Sequence, residues 1–318
     1  MKKKYLRFFI AVFGLILSTY LLYQTDLESL YQSFQESIEL MPSHVILVSF
    51  MSYIGSVVLR GIRYGLMIGT PSSIRTITES VFIGFAGNNI LPARLGELLR
   101  TQYLYKKLNL ARIDSLITIF TEKIFDLIII LSVFLLVLSQ LFESEYKYFI
   151  ILIMISIFFL LVYGRKILRF MMIKLSRLFP VNRIVNRFTS SLENVILNLG
   201  SPKNYIKIIL MSISIWFLEW LLFWTIIDQL SITEDPLIGS SLALVLVNLS
   251  ILIPSAPGYI GVFQAAFIYS ISLLNSGNTE NALVAAVIVH VIQYSSTLFI
   301  GGLIILLNLR NFMKKSSL

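Results

Sequence analysis

The chain has 318 residues, of which 57% are hydrophobic and 14% charged, and its mean hydropathy is +0.83. A soluble domain carries about a quarter of its residues as charges, so the composition excludes a soluble globular protein and leaves an integral membrane one. The formal net charge is +9 and cysteine is absent, which excludes disulfides and thiolate metal centres.

A helix needs roughly 20 apolar residues to cross the hydrocarbon. The pattern predicts spans near 5–23, 44–67, 115–141, 147–163, 205–227 and 281–307. The first carries an MKKKYLR head and no small-x-small cleavage site before TDLESL, so it reads as an uncleaved anchor rather than a signal peptide. Lysine and arginine then choose a side. Lys2, Lys3, Lys4 and Arg7 precede the first span, whereas loop 24–43 holds Asp26, Glu28, Glu36 and Glu39 and no base. Arg60, Arg63 and Arg75 mark the end of the second span. Segment 164–207 holds nine basic residues against the single acid Glu193, and loop 228–236 is acidic. Both termini are therefore expected in the cytoplasm of a cell-membrane protein. The basic surplus is a topology signal and needs no nucleic-acid partner. Segment 165–200 has apolar residues at helical spacing between its bases. It reads either as an amphipathic helix against anionic lipid or as an ordinary basic loop.

Two stretches do not fit simple spans. The apolar run SVFIGFAGNNIL is about 18 Å long as a helix, too short to cross. It is followed by PARLGELLR and lies between basic segments, so the chain must enter and return. A re-entrant hairpin over 78–105 is the simplest solution. Irregular backbone at that depth must be buried in protein or line a wet cavity, which Asn88, Asn89, Arg94 and Glu97 could supply. The second stretch, 237–275, is broken around Pro254, Pro257, Gly258 and Gly261. Its ends also fall on one side, through a single re-entrant segment or two crossings. Asn88-x3-Pro92-x3-Gly96 parallels Ser250-x3-Pro254-x3-Gly258. Paired broken segments of opposite entry are the sequence pointer to a transporter site at a repeat interface, although Gly and Pro are common enough in membrane helices for chance to produce the match.

At these residues the chain resembles the transmembrane domain of the lysylphosphatidylglycerol synthase/flippase family. The pattern is carried by Asn89, Pro92, Arg94, Gly96, Glu97 and Arg100, then by Glu122, Lys123 and Asp126. It ends with Pro254, Pro257, Gly258, Gly261 and Gln264. Two positions depart from it. Lys123 replaces an arginine and loses the bidentate fork, and Gln264 replaces a glutamate and loses an ionisable group. The resemblance implies movement of lipid between leaflets, and only the membrane part is matched, so no synthase activity is expected.

The polar residues keep two readings each. Arg94, Glu97 and Arg100 can share a helix face. They either meet a lipid phosphate, whose oxygens fit the guanidinium fork, or form an ion-pair network holding the hairpin. Glu122 and Asp126, four apart, read as an acid/base or metal pair, or as structural partners of Arg60 or Arg63. Glu219, deep in WFLEWLLFW, must face the protein interior or give up its charge. His290 is favoured as a hydrogen-bonded packing residue over a proton relay. It lies far in sequence from His44, so a histidine-rich metal centre is not expected.

The expected fold is therefore all-α and polytopic, with about six to eight transmembrane helices plus one or two re-entrant or broken helices. One membrane domain spans 1–318. Its first half is 1–163, its basic amphipathic loop 164–204, and its second half 205–310, with an inverted repeat admitted. The leading function is a flippase-like lipid translocator whose partners are membrane lipids, anionic phospholipid above all. A membrane-embedded lipid or glycolipid transferase and a non-catalytic partner of an envelope-biosynthesis complex are the alternatives. A homo-oligomer or a biosynthetic enzyme partner is compatible with each. The sequence contains no Walker A loop, and no cofactor or metal is expected.

The charge pattern generates a direct test of topology. Single cysteines at Ser33 and Ser176 of this cysteine-free chain should react with an impermeant thiol reagent from opposite sides of the membrane. Labelling of both from one side would reject the assignment.

Overall fold

The computed structural model describes residues 27–39, 41–69, 73–91, 95–141, 202–251, 257–274 and 279–308, with scattered helical positions between 148 and 197. The expected spans 5–23 and 147–163 and the basic loop 164–204 fall largely outside these residues. The described elements are helical: α1 (Leu27–Glu39), α2 (Ser43–Ile68), α3 (Ile74–Ile90), α4 (Gly96–Leu108), α5 (Arg112–Leu141), α6 (Pro202–Gln229), α7 (Pro236–Ser250), α8 (Val262–Ser272) and α9 (Thr279–Leu307). Four stretches are long and apolar enough to cross a membrane: Ser43–Ile68, Arg112–Leu141, Lys203–Gln229 and Asn281–Leu307. They match four of the expected spans to within a few residues.

By internal packing the chain divides into two units. One gathers the residues up to Ser56 with 82–97 and 217–307, and the other gathers 57–81 and 98–216. Within each unit the polar contacts between α2 and α6 follow one register. In the first, Ser49 Oγ lies 2.8 Å from Thr225 Oγ1, and Ser56 Oγ 3.4 Å from Glu219 Oε1. In the second, Arg63 Nη1 donates to Ser212 Oγ at 2.8 Å. In the first unit position 49 meets 225 and position 56 meets 219, so these stretches of α2 and α6 run antiparallel. Small residues such as Ser52 and Gly55 on this stretch permit close approach, which replaces the hydrophobic effect as the source of helix association in lipid.

Both interrupted stretches are antiparallel helical hairpins. In the first unit, the Gly96 N–H donates to Asn88 Oδ1 at 3.0 Å. In the second, Tyr103 Oη donates to Glu79 Oε2 at 2.6 Å. Position 96 thus meets 88 and position 103 meets 79, which makes α3 and α4 a returning pair. α3 starts at Ile74, six residues before the apolar run, because Arg75 and Glu79 pair across one turn at 3.0 Å and carry the helix through polar sequence.

The second hairpin, α7–α8, lies within the first unit. Asp235 caps α7 by accepting the N–H groups of Leu237 and Ile238, and Pro236 occupies the first turn, where a missing donor costs nothing. Gly239 near the start of α7 faces Ile271 and Leu274 at the end of α8, so these helices also run antiparallel. They measure about 22 Å and 16 Å, short of a full crossing. Phe223 of α6 stacks on Phe263 and Phe267 of α8, and α9 packs on α8 and α1.

α9 also packs on α3 through Gly301, where an added Cβ would meet the Phe82 carbonyl oxygen and the Ala86 methyl, whereas Gly302 faces open space. Gly301→Ala should therefore destabilise the protein by about 1–3 kcal/mol through overpacking. Gly302→Ala, in open space within the helix, should hold or raise the thermal unfolding midpoint in detergent. Equal midpoints for the two variants would contradict this packing.

Candidate functional site

Polarity is concentrated in two places, one in each unit. The second unit contains an ionic core. α2 presents Arg60, Arg63 and Tyr64 at helical spacing, and α5 presents Glu122 and Asp126 one turn apart. Arg60 Nη1 donates to Asp126 Oδ2 at 2.9 Å and Arg63 Nη1 to Asp126 Oδ1 at 2.8 Å. Trp216 Nε1 adds a third donor to Asp126 Oδ1 at 3.2 Å. Arg100 of α4 donates to Glu122 Oε2 at 3.0 Å, and Arg63 Nη2 stands 3.8 Å from Glu122 Oε1. Two aromatic faces complete the setting. The Arg100 guanidinium lies 4.3 Å from the centroid of Tyr64, and that of Arg60 lies 5.1 Å from Trp216. All five charged groups are buried, Arg63 completely.

Charges inside a low-dielectric interior are tolerated only when paired and hydrogen-bonded, and removing one member leaves its partner stranded. The described contacts join α2, α4, α5 and α6 through buried side chains. Arg100, one of the expected head-group ligands, is thus engaged by Glu122 in the interior. Glu122 and Asp126 meet Arg60, Arg63 and Arg100, the arrangement expected of structural partners.

The first unit contains a neutral polar junction. Asn88, buried at the end of α3, closes the first hairpin through its bond from the Gly96 N–H. An added Cβ at Gly96 would collide with the Gly84 carbonyl oxygen and with Asn88, so this motif glycine is required by close approach. Asn89 Nδ2 donates to Thr297 Oγ1 of α9 at 2.9 Å. The second hairpin turns through Pro257–Tyr259 with positive φ at Gly258 (70°), Tyr259 (59°) and Gly261 (86°), values that glycine adopts readily and tyrosine rarely. An added Cβ on Gly258 would lie 2.8 Å from Tyr294 Cε2 and 3.4 Å from the Asn89 carbonyl oxygen. The two hairpin ends therefore lie beside each other.

Gln264 fastens the second end. Its Oε1 accepts the Gly261 N–H at 2.8 Å, so its amide nitrogen faces His290 Nδ1 at 3.0 Å. With Nδ1 accepting, the imidazole proton resides on Nε2, and the ring also hydrogen-bonds the Gly258 backbone. His290 stacks on Phe263 with centroids 4.5 Å apart. This is a packed, fully hydrogen-bonded histidine. Of the remaining expected residues, Glu97 is half-buried on the first turn of α4, and Arg94 and Pro254 lie outside the described residues. Pro257 is placed only as part of the turn. Sequence reading did not anticipate Trp216, Ser212, Tyr64, Thr297 or Tyr294. The available signal was spacing: 212 and 216, and 290, 294 and 297, each recur on one helical face.

Comparison with known proteins follows this geometry. The family described as lysylphosphatidylglycerol synthase TM region matches residues 6–301, and the chain belongs to that family. It is 28% identical over 236 residues to a UPF0104 membrane protein of Methanocaldococcus jannaschii, covering 72% of this chain and 96% of that protein. It is also 24% identical over 293 residues to the glycosyltransferase AglD of Haloferax volcanii. That match covers 79% of this chain and 46% of AglD, so the chain spans about half the length of that relative.

The ionic core makes a stability prediction. Asp126→Asn keeps the shape but leaves Arg60 and Arg63 short of a counter-charge, and should cost about 3–5 kcal/mol. Glu39→Gln, on the exposed end of α1, should shift unfolding little. Thermal unfolding in detergent measures both, and a wild-type midpoint for Asp126→Asn would remove the core from the scaffold.

Proposed function

We propose that this member of the lysylphosphatidylglycerol synthase transmembrane-region family moves amphipathic lipid between the leaflets of the cell membrane, with both termini in the cytoplasm. One observation carries the reading: two antiparallel broken hairpins whose ends meet, with Gly258 against the Asn89 carbonyl oxygen, in a chain of apolar spans. Interrupted helices at membrane depth are tolerated where they are buried in protein or line a wet cavity, and paired ones mark the substrate sites of transporters. In this reading the labour is divided. The ionic core of Arg60, Arg63, Arg100, Glu122 and Asp126 holds helices in place. The hairpin ends, with Asn88, Asn89, Gly258, Gly261 and Gln264, form the path. Glu97 and Arg94 are the charged groups that a phosphate-bearing or amine-bearing head group meets first, and anionic phospholipid is the substrate class that suits an arginine best.

The similarity to a protein named a glycosyltransferase favours one second reading. The membrane domain would then serve transfer onto or from a lipid-linked donor, holding the lipid without moving it across.

A leaflet-resolved assay with fluorescent phospholipid in reconstituted vesicles separates the two. Translocation predicts that wild-type protein accelerates exchange between leaflets. Arg94→Ala and Glu97→Gln should slow it about tenfold, the scale of one charge-assisted hydrogen bond, while thermal unfolding stays at the wild-type midpoint. Normal lipid movement in both folded variants would place the head-group contact elsewhere. No movement by the wild type would favour the transfer reading.

A further inference from the structure

The neutral junction differs in kind from the ionic core. Three uncharged hydrogen bonds tie the hairpin ends to α9: Asn89 to Thr297, Gln264 to His290, and the Gly258 backbone to His290. The α9 partners His290, Tyr294 and Thr297 lie on one helical face, four and three residues apart. Uncharged bonds between groups of this kind exchange readily for other partners, whereas a buried guanidinium–carboxylate pair does not. The turn beside them holds Gly258, Tyr259 and Gly261 at positive φ, where two glycines leave the backbone free to change conformation.

We infer that His290 and Thr297 of α9, with Gln264 and Asn89, form a latch that holds the two hairpin ends together and opens to let a lipid head group pass between them. The inference rests on the translocation reading for what passes, and on the contacts alone for the latch. Gln264 has two duties. Its oxygen caps α8 at Gly261, and its nitrogen reaches His290. Gln264→Glu would keep both, since the imidazole can carry its proton on Nδ1 and donate to the carboxylate, whereas His290→Phe keeps the ring that stacks on Phe263 and has no nitrogen for Gln264 to reach. His290→Phe therefore loosens the latch and leaves Gln264 on the Gly261 N–H. Thr297→Val removes the Asn89 partner without changing size.

Hydrogen–deuterium exchange of the full-length protein in nanodiscs reads the latch directly. Amides of 258–265 should exchange at least about fivefold faster in His290→Phe, the factor for one neutral hydrogen bond, and those of 86–91 about fivefold faster in Thr297→Val. Amides of α5 should be unchanged in both. Wild-type exchange at the hairpin ends in both variants would overturn the proposal. Acceleration that includes α5 would overturn it too, because the contacts would then support the whole fold. Leaflet exchange of fluorescent phospholipid supplies the second arm: both loosened variants should move lipid faster. Unchanged rates in variants whose ends have loosened would mean that the head group passes elsewhere. Absence of lipid movement in the wild type would count against translocation and leave the exchange result to judge the latch.

Discussion

The arrangement depends on the carboxylate of Asp126. It accepts from Arg60, Arg63 and Trp216, so residues on α2, α5 and α6 meet at one group. In lipid there is no hydrophobic force to bring apolar helices together, because the tails are as apolar as leucine. Two guanidiniums that must find a carboxylate supply a directional substitute. The pairing also fixes register. A one-residue slip of α2 would turn Arg63 away from Asp126 and Ser212 together. Specificity of this kind is a reason to retain buried charge even where an apolar core would hold as well.

The polar seam between α2 and α6 extends the same logic. Ser49, Ser56 and Arg63 recur at seven-residue intervals against Thr225, Glu219 and Ser212. In the first unit these contacts are a hydroxyl pair and a hydroxyl donating to a carboxylate, and in the second a guanidinium donating to a hydroxyl. Glycine and alanine do complementary work elsewhere: Gly301 lets α9 approach the α3 backbone, and Gly96 lets α4 start directly beside Gly84 and Asn88. The hairpins are thus positioned by close backbone contact, and their ends by a few neutral side chains.

Much of the architecture was legible from hydropathy and the positions of proline and glycine. The long spans at 43–68, 112–141, 202–229 and 279–307 follow from uninterrupted apolar runs, and both breaks fall where proline and glycine remove helix stability. The start of α3 was not legible, because a hydropathy reading treats Arg75, Thr76, Thr78 and Glu79 as loop, whereas the Arg75–Glu79 pair keeps them helical. The pairing of Glu122 and Asp126 with arginines of α2 was one of two open readings, and the observed distances correspond to it. The Gln264–His290 bond had no sequence signal. Two neutral polar residues 26 apart obey no spacing rule, and only the approach of α8 to α9 brings them together.

The ionic core also has a consequence for biogenesis. Arg60 and Arg63 are 66 and 63 residues ahead of the carboxylate that receives them. A ribosome therefore releases α2 with two cations well before α5 exists. An arginine at the centre of a span costs about 2.5–3.5 kcal/mol on insertion scales; Arg60 and Arg63, in the last third of α2, cost less but have no Asp126 to meet until α5 is made. Until then their long side chains reach toward the head groups at the nearer end of the helix. Pairing with Asp126 is therefore a late event in assembly, because it waits for α5 to be made.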